Sequence, residues 1–223
     1  MRGISMYQKH GFLYKLERRF GKLAIKNLML ILVGAMAIVF LMDLFVTAKT
    51  GFSLAGRLIF HRESIFAGEI WRIFTFIFLP PDSSLLFIII SLYFYYLIGT
   101  TLENEWGSFG FTLYYLLGVI GAIVSGFITG YATNYYLNMS LFLAFAILNP
   151  NFEVLLFFFI PLKMKWLAII DAVLLGISFV LSGWDGRLAI IMALINLLIF
   201  FTPALLDRIK STYRRHKWKK NFK

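Results

Sequence analysis

Nucleophilic chemistry inside an apolar helix needs a hydroxyl and, at the same depth, a base to take its proton. This chain carries the first and lacks the second. Ser91, Ser125, Ser140 and Ser178 lie in apolar runs, whereas His10, His61 and His216 all fall outside them. With Thr129 and Asn196, those serines are expected to be ordinary interhelical hydrogen-bonders, each worth about 0.6 kcal/mol. Asp43, near the outer end of its run, is expected to reach water. Asp171 is different: it follows Trp166 by five residues and sits about 9 Å into its helix by axial rise. A carboxyl at that depth is a functional candidate by default. Ionised, it needs Lys165 or Lys163 as partner; protonated, it can donate to Asn196 or to a carbonyl of the next span. A structural hydrogen bond is the first expectation and a proton relay the sharper alternative. The chain has no cysteine, which removes disulfides, haem thiolates and zinc–thiolate sites. No cofactor and no metal site are expected.

The elements that must position these groups are membrane spans. Sixty per cent of the residues are hydrophobic and only 15% are charged. A bilayer core about 30 Å thick needs roughly 20 apolar residues in helix. Runs at about 28–46, 85–102, 109–130, 166–181 and 188–206 qualify. A sixth, 135–148, is short and stops at Asn149-Pro150, where proline disfavours helix in its predecessor. The last two are separated by the turn-like Ser182-Gly183-Trp184-Asp185-Gly186. Leu28–Val46 is too long, with too long a basic leader, for a signal peptide, and is expected to stay as a span.

Charge sets the parity. Residues 1–26 carry Arg2, Lys9, Lys15, Arg18, Arg19, Lys22 and Lys26 against Glu17 alone. The tail, 207–223, carries Arg208, Lys210, Arg214, Arg215, Lys217, Lys219, Lys220 and Lys223 against Asp207. Short basic flanks stay cytoplasmic, so both tails are expected inside and the number of spans even. Six spans also place Lys163 and Lys165 inside, leaving only Lys49, Arg57, Arg62, Arg72 and Arg187 outside. The expectation is an all-α integral membrane bundle at 27–206, between basic segments 1–26 and 207–223. Its net charge of +11 is then topology plus attraction to anionic lipid headgroups. Nucleic acid is not an expected partner, because the bases occupy two short tails and not a folded soluble face. Tyr213–Lys223 is expected to be a solvated anchor, with an interfacial helix as the alternative.

Two connections are unusually apolar. In 47–83, the stretch Gly68–Leu79 is aromatic-rich, carries Arg72 and ends at Pro80-Pro81. It is too short to span and reads as an interfacial or re-entrant element. Trp71 would lie at headgroup depth and Arg72 would bond loop carbonyls. Backbone within a membrane must be covered by protein, so this loop has to pack on the bundle. Val154–Ile160, between Pro150 and Pro161, reads as strand-like. Its Phe157-Phe158-Phe159 cluster is expected to face lipid.

Several of these features together resemble the rhomboid superfamily. The carriers are Gly68-Glu69-Ile70-Trp71-Arg72 in the first loop and Glu103-Asn104-Glu105-Trp106-Gly107 after the second span. The six-span arrangement, over roughly 25–205, is similar too. In the third span Gly118, Ala122, Gly126 and Gly130 recur every four residues and are expected to pack closely against another helix. Ala172/Gly176 and Ala189/Ala193 repeat the pattern more weakly.

The resemblance implies a serine in Gly-x-Ser-Gly at the start of the fourth span and a histidine in the sixth. Here Asn138-Met139-Ser140-Leu141 places Ser140 at the nucleophile's position without either glycine. Asn196 is the polar residue of the sixth span, and asparagine is no base near neutral pH. The family's His-x-x-x-Asn pattern is missing from the second span, where Ser84–Ile88 is nearest. Without a positioned base the hydroxyl forgoes about 10²–10⁴-fold in rate, and without oxyanion donors another 10²–10³-fold. The chain thus looks like a catalytically inactive, Derlin-like pseudoprotease. The resemblance implies binding to transmembrane helices of client proteins, among membrane lipids, with a bacterial plasma membrane as the expected location. Ser140 and Asn196 are expected to bond each other across the former cleft. Two alternatives stay open: a serine protease using Ser140 with an unconventional base, and a proton-coupled transporter using Asp171.

Overall fold

A computed structural model describes residues 12–81, 84–156 and 160–201. Its helices are α1 (Phe12–Phe20), α2 (Leu28–Thr50), α3 (Ala55–Leu58), α4 (Arg62–Phe66), α5 (Arg72–Thr75), α6 (Leu85–Thr129), α7 (Tyr135–Leu148) and α8 (Met164–Leu181). A last helix, α9, covers Trp184–Phe201. Two small antiparallel pairs join them: β1 (Phe60–His61) with β2 (Tyr131–Ala132), and β3 (Glu153–Leu156) with β4 (Ile160–Lys163). Four helices are long and apolar enough to cross a bilayer, namely those containing α2, α6, α8 and α9.

Their outer faces carry the side chains that a water-soluble domain buries. Leu30, Ile31, Ile38 and Leu41 of α2 are exposed, as are Ile169, Ile170, Val173 and Leu174 of α8. Apolar surface on this scale is stable only against lipid. The chain is an all-α, multi-pass membrane protein.

The 45 residues of α6 would run about 67 Å if straight, twice the bilayer core. They do not form one rod. Gly107, at φ 76° and ψ 159°, interrupts the helix, and this backbone region is essentially closed to any side chain. The rings of Trp106 and Tyr114 have centroids 5.1 Å apart, although eight residues of continuous helix would separate them by about 12 Å. The two halves, α6a (85–106) and α6b (108–129), therefore fold back on each other.

Glu103 fixes that reversal. Its Oε1 accepts from Ser108 Oγ at 2.6 Å and from the backbone N–H of Asn27 at 2.9 Å. Asn27 precedes α2 in the left-handed region, φ 53°. One carboxylate thus holds the turn between α6a and α6b to the start of α2. Beside it, Gly99 admits Met29, whose Cγ lies 2.1 Å from where a Cβ would stand. Along the same seam Met36 and Phe40 pack on Ile88 and Leu92.

Helices occupy the apolar runs read from the sequence and extend beyond several of their ends. α2 runs on to Thr50 and the α6a half to Trp106, while α9 begins at Trp184. The turn expected over Ser182–Gly186 therefore shrinks to Ser182-Gly183. Arg187 makes this possible, donating from Nε to Phe179 O and from Nη2 to Val180 O at 3.0 Å each and so covering the last carbonyls of α8. α7 ends at Leu148, as the Asn149-Pro150 pair predicts. On either side of Phe157–Phe159 the chain is paired as antiparallel strands, with Glu153 opposite Lys163 and Leu156 opposite Ile160. Phe157–Phe159, Tyr213–Lys223, His10 and His216 lie outside the described residues.

The first loop packs on the bundle through Phe60. Its ring is fully buried, edge-on to Phe76 at 6.1 Å and to Phe127 at 5.1 Å. β1 pairs with β2 immediately after α6b, with Phe60 opposite Ala132. Arg62 adds to the same anchor, donating from its backbone N–H to Gly130 O at 2.9 Å and from Nη1 to Phe127 O at 3.0 Å. A cation on the exposed carbonyls of a helix C-terminus is favourable.

Candidate functional site

Ser140 lies one and a half turns into α7, 1% exposed. Its Oγ donates to Leu137 O at 2.7 Å and accepts from the Tyr114 hydroxyl at 3.0 Å. A serine bonding the carbonyl three residues back is a helix-internal arrangement. Leu141, 2% exposed, and Asn138, 5% exposed, flank it where a nucleophile's turn would need glycines. The serine proton is committed to a backbone carbonyl, and the neighbouring phenol gives a proton and takes none. As it stands, this arrangement supports packing, not proton abstraction.

Tyr114 is held hard. Its ring packs on Trp106 at 5.1 Å and on Phe200 at 5.0 Å, and Phe200 and Phe201 close on Trp106 at 5.6 and 5.9 Å. The aromatic group joins the α6 reversal to α9. Asn196, on α9, donates from Nδ2 to Tyr114 O at 3.1 Å, and its Oδ1 has no partner. The expected Ser140–Asn196 bond is not formed. Instead both residues bond Tyr114, one through the phenol and one through the carbonyl. Composition could not single out this tyrosine among the eleven in the chain. Its placement follows from α6b facing both α7 and α9.

The glycine series of α6b has three jobs and not one. Gly118 is a true close approach: a Cβ there would meet Leu137 Cδ1 at 2.2 Å and Asn196 Nδ2 at 3.0 Å. Ala122 is half-buried against the core. Gly126 makes room for the loop, since a Cβ would come within 2.6 Å of Phe60. Gly130 is not in the helix at all; it caps α6b at φ 96°, and its N–H bonds Gly126 O at 2.8 Å. The weaker pair on α8 makes no such approach, for Ala172 is exposed and nothing lies within 4 Å of Gly176's absent Cβ.

His61 belongs to the loop. Its Nδ1 lies 3.1 Å from Ser64 Oγ and accepts from Ser64 N–H at 3.4 Å, capping α4. It makes no contact with Ser140. Arg72 does what the sequence predicts, donating from Nη1 to Gly56 O and Ile59 O, at 3.0 Å each, while Nε pairs with Glu69. Trp71 is half-exposed on the outside of that brace. Asn134 completes the loop's attachment, donating from Nδ2 to Ile77 O at 3.1 Å and Leu79 O at 2.9 Å. Asp43 is half-buried and accepts from Ser53 Oγ and Ala55 N–H, holding the start of α3.

Asp171 is 7% exposed and its Oδ2 has no hydrogen-bond partner. Neither expected arrangement occurs. Asn196 is turned to Tyr114, and Lys165 Nζ lies over the Trp166 ring at 5.3 Å. Ser125 and Thr129 do not bridge helices: Ser125 Oγ is buried without a partner, and Thr129 bonds Ser125 O and Tyr131 O locally. Among the described residues no group of three or more His, Asp or Glu converges to hold a metal.

No protein-family model matches the chain, and no curated protein matches it in sequence.

Proposed function

We propose that this chain is a rhomboid-like bundle of six passes whose serine is silent, and that it binds the transmembrane segments of other membrane proteins. Gly107 supports the count of passes by dividing α6 in two. α7 would be the short pass, at 14 residues, about 21 Å, and most of its side chains are covered by neighbours. Both tails would then be cytoplasmic, in keeping with their bases. The two motifs that carry the resemblance have physical work to do here: Glu103 and Gly107 hold the α6 reversal, and Arg72 braces the first loop. The observation that carries the silent reading is the engagement of Ser140 Oγ by Tyr114 and Leu137, with His61 occupied elsewhere.

With hydrolysis set aside, what the bundle offers is its lateral surface, where apolar side chains of α6a and α8 stand free on either side of α7. A fluorophosphonate probe on the purified protein should leave no adduct, and labelling abolished by Ser140→Ala would overturn the silent reading. A photo-crosslinking residue at Phe87 or Ile170 should capture protein, with the adduct mapping to an apolar segment of about 20 residues. Adducts to lipid alone at both positions would refute the binding role.

A second reading, proton-coupled transport, draws on the unpartnered Oδ2 of Asp171. Proton flux in proteoliposomes that disappears in Asp171→Asn would favour it.

A further inference from the structure

The stretch ahead of α2 is strongly two-sided. At about 100° per residue, Phe12, Leu13, Leu16 and Phe20 fall within one arc of α1, and Lys15, Glu17, Arg18 and Arg19 fall outside it. α1 is not the beginning of α2. Gly21–Leu23 is a 3₁₀ turn, Ala24 is extended at ψ 124°, and Asn27 is left-handed at φ 53°, so the axis breaks before Leu28. The break is tied down. Ile25 N–H donates to Thr112 Oγ1 at 3.1 Å, and that hydroxyl donates to Ile25 O at 3.4 Å, while Asn27 N–H reaches Glu103. Glu103 and Thr112 flank the reversal at Gly107. The connector is thus held where α2, α6a and α6b all end, at the edge of the hydrocarbon.

What lies there is both apolar and cationic. Phe20, Leu23 and Ile25 are exposed, and just beyond them the free face of α2 begins with Leu30 and Ile31. Arg18, Arg19, Lys22 and Lys26 are exposed as well, and among the described residues none of the four forms an ion pair. A cover for this face must accept bulky apolar side chains and bring negative charge alongside them. A second copy of this chain would bring the same four cations. An anionic leaflet offers acyl chains and phosphates side by side at this level.

We propose that α1 and the connector 21–27 form a docking surface for anionic lipid. Phe20, Leu23 and Ile25 enter the acyl boundary, and Arg18, Arg19, Lys22 and Lys26 engage headgroup phosphates. The bonds to Thr112 and Glu103 set the depth of the surface against the bundle. It acts whatever the bundle binds.

The chain has no cysteine, so a nitroxide on Leu23→Cys reports a single site in the full chain, reconstituted at one copy per nanodisc. In discs of mixed phosphatidylcholine and phosphatidylglycerol the label should meet dissolved oxygen in preference to a water-soluble nickel chelate. A label on Glu17→Cys should do the reverse, and phosphatidylcholine alone should leave the Leu23 label nearer water. Without any label, a glutamate-specific protease should cut after Glu17 more slowly in the anionic discs. Lys22→Gln and Lys26→Gln should each speed that cut about fivefold, the equivalent of one cation at an anionic surface. Cleavage after Glu63, exposed in the first loop, should not respond, which also reports that the variants are folded. A Leu23 label in water in anionic discs overturns the proposal, as do equal depth and cleavage in the two lipids or glutamine variants that cut like the parent. Burial of the label only when two copies share a disc would assign the face to a second copy and overturn it too.

Discussion

The hydroxyl of Tyr114 donates to Ser140 Oγ across 3.0 Å, and the carbonyl of the same tyrosine accepts from Asn196 Nδ2 at 3.1 Å. One residue of α6b therefore links α7 and α9, and its ring is clamped between Trp106 and Phe200. Tyr114→Phe should lower unfolding free energy by about 0.6 kcal/mol, and at most about 1.7, the range for interhelical hydrogen bonds in a bilayer. Ser140→Ala should cost a similar amount. In a double-mutant cycle by denaturation in detergent the two should couple by nearly the whole of either loss. Additive losses would mean that the phenol and the serine act independently.

Glu103 and Gly107 make a second, separable prediction. Glu103→Ala removes an acceptor from both Ser108 Oγ and Asn27 N–H, and bonds to a charged group contribute about 1.5–3 kcal/mol. Gly107→Ala strains a backbone at φ 76° and ψ 159°, at about 1–3 kcal/mol. Both variants should fold less stably in thermal melts, whereas Glu105→Ala, exposed two residues away, should change little. Equal losses at Glu103 and Glu105 would contradict the assignment.

The glycines of α6b and α8 should respond oppositely to alanine. At Gly118 the new Cβ meets Leu137 Cδ1 at 2.2 Å, an overpacking that costs about 1–3 kcal/mol. Adding Leu137→Ala should recover part of that loss by opening the space. At Gly176 nothing lies within 4 Å, so alanine should stabilise by about 0.8–1.0 kcal/mol through helix propensity. Destabilisation at Gly176 comparable to that at Gly118 would show that α8 carries a contact face there.

Arg72→Lys should not rescue Arg72→Ala. The guanidinium reaches Gly56 O and Ile59 O with one nitrogen and Glu69 with another, a fork that a single ammonium cannot reproduce. Limited proteolysis should cut the 52–70 loop faster in both variants than in the parent. Parent-like resistance in Arg72→Lys would mean that charge alone holds the loop.

The positions of the long helices were readable because a sustained apolar run both favours burial away from water and leaves no turn residue to end a helix. The bracing role of Arg72 was readable too, since a cation among apolar loop residues has to find carbonyls. Periodicity had less to say about partners. The spacing of Gly118, Ala122, Gly126 and Gly130 marks one face, yet it cannot tell that a loop phenylalanine fills part of it or that the last glycine ends the helix. Ser140 and Asn196 were paired in expectation through their positions along two spans. The rotation of α6b put a tyrosine between them, and hydropathy carries no record of which aromatic turns inward. Asp171 shows the same limit: its depth is a matter of counting, its neighbour a matter of helix rotation.

The single-residue junction at Gly107 also bears on where this chain tolerates added sequence. A helix advances about 100° per residue, so one extra amino acid there would swing the following span by more than a quarter turn. Tyr114 would then leave Ser140, and Gly118 would leave Leu137. Epitope tags or fluorescent fusions are therefore better placed in either basic tail than at this turn, although Gly107 itself is exposed.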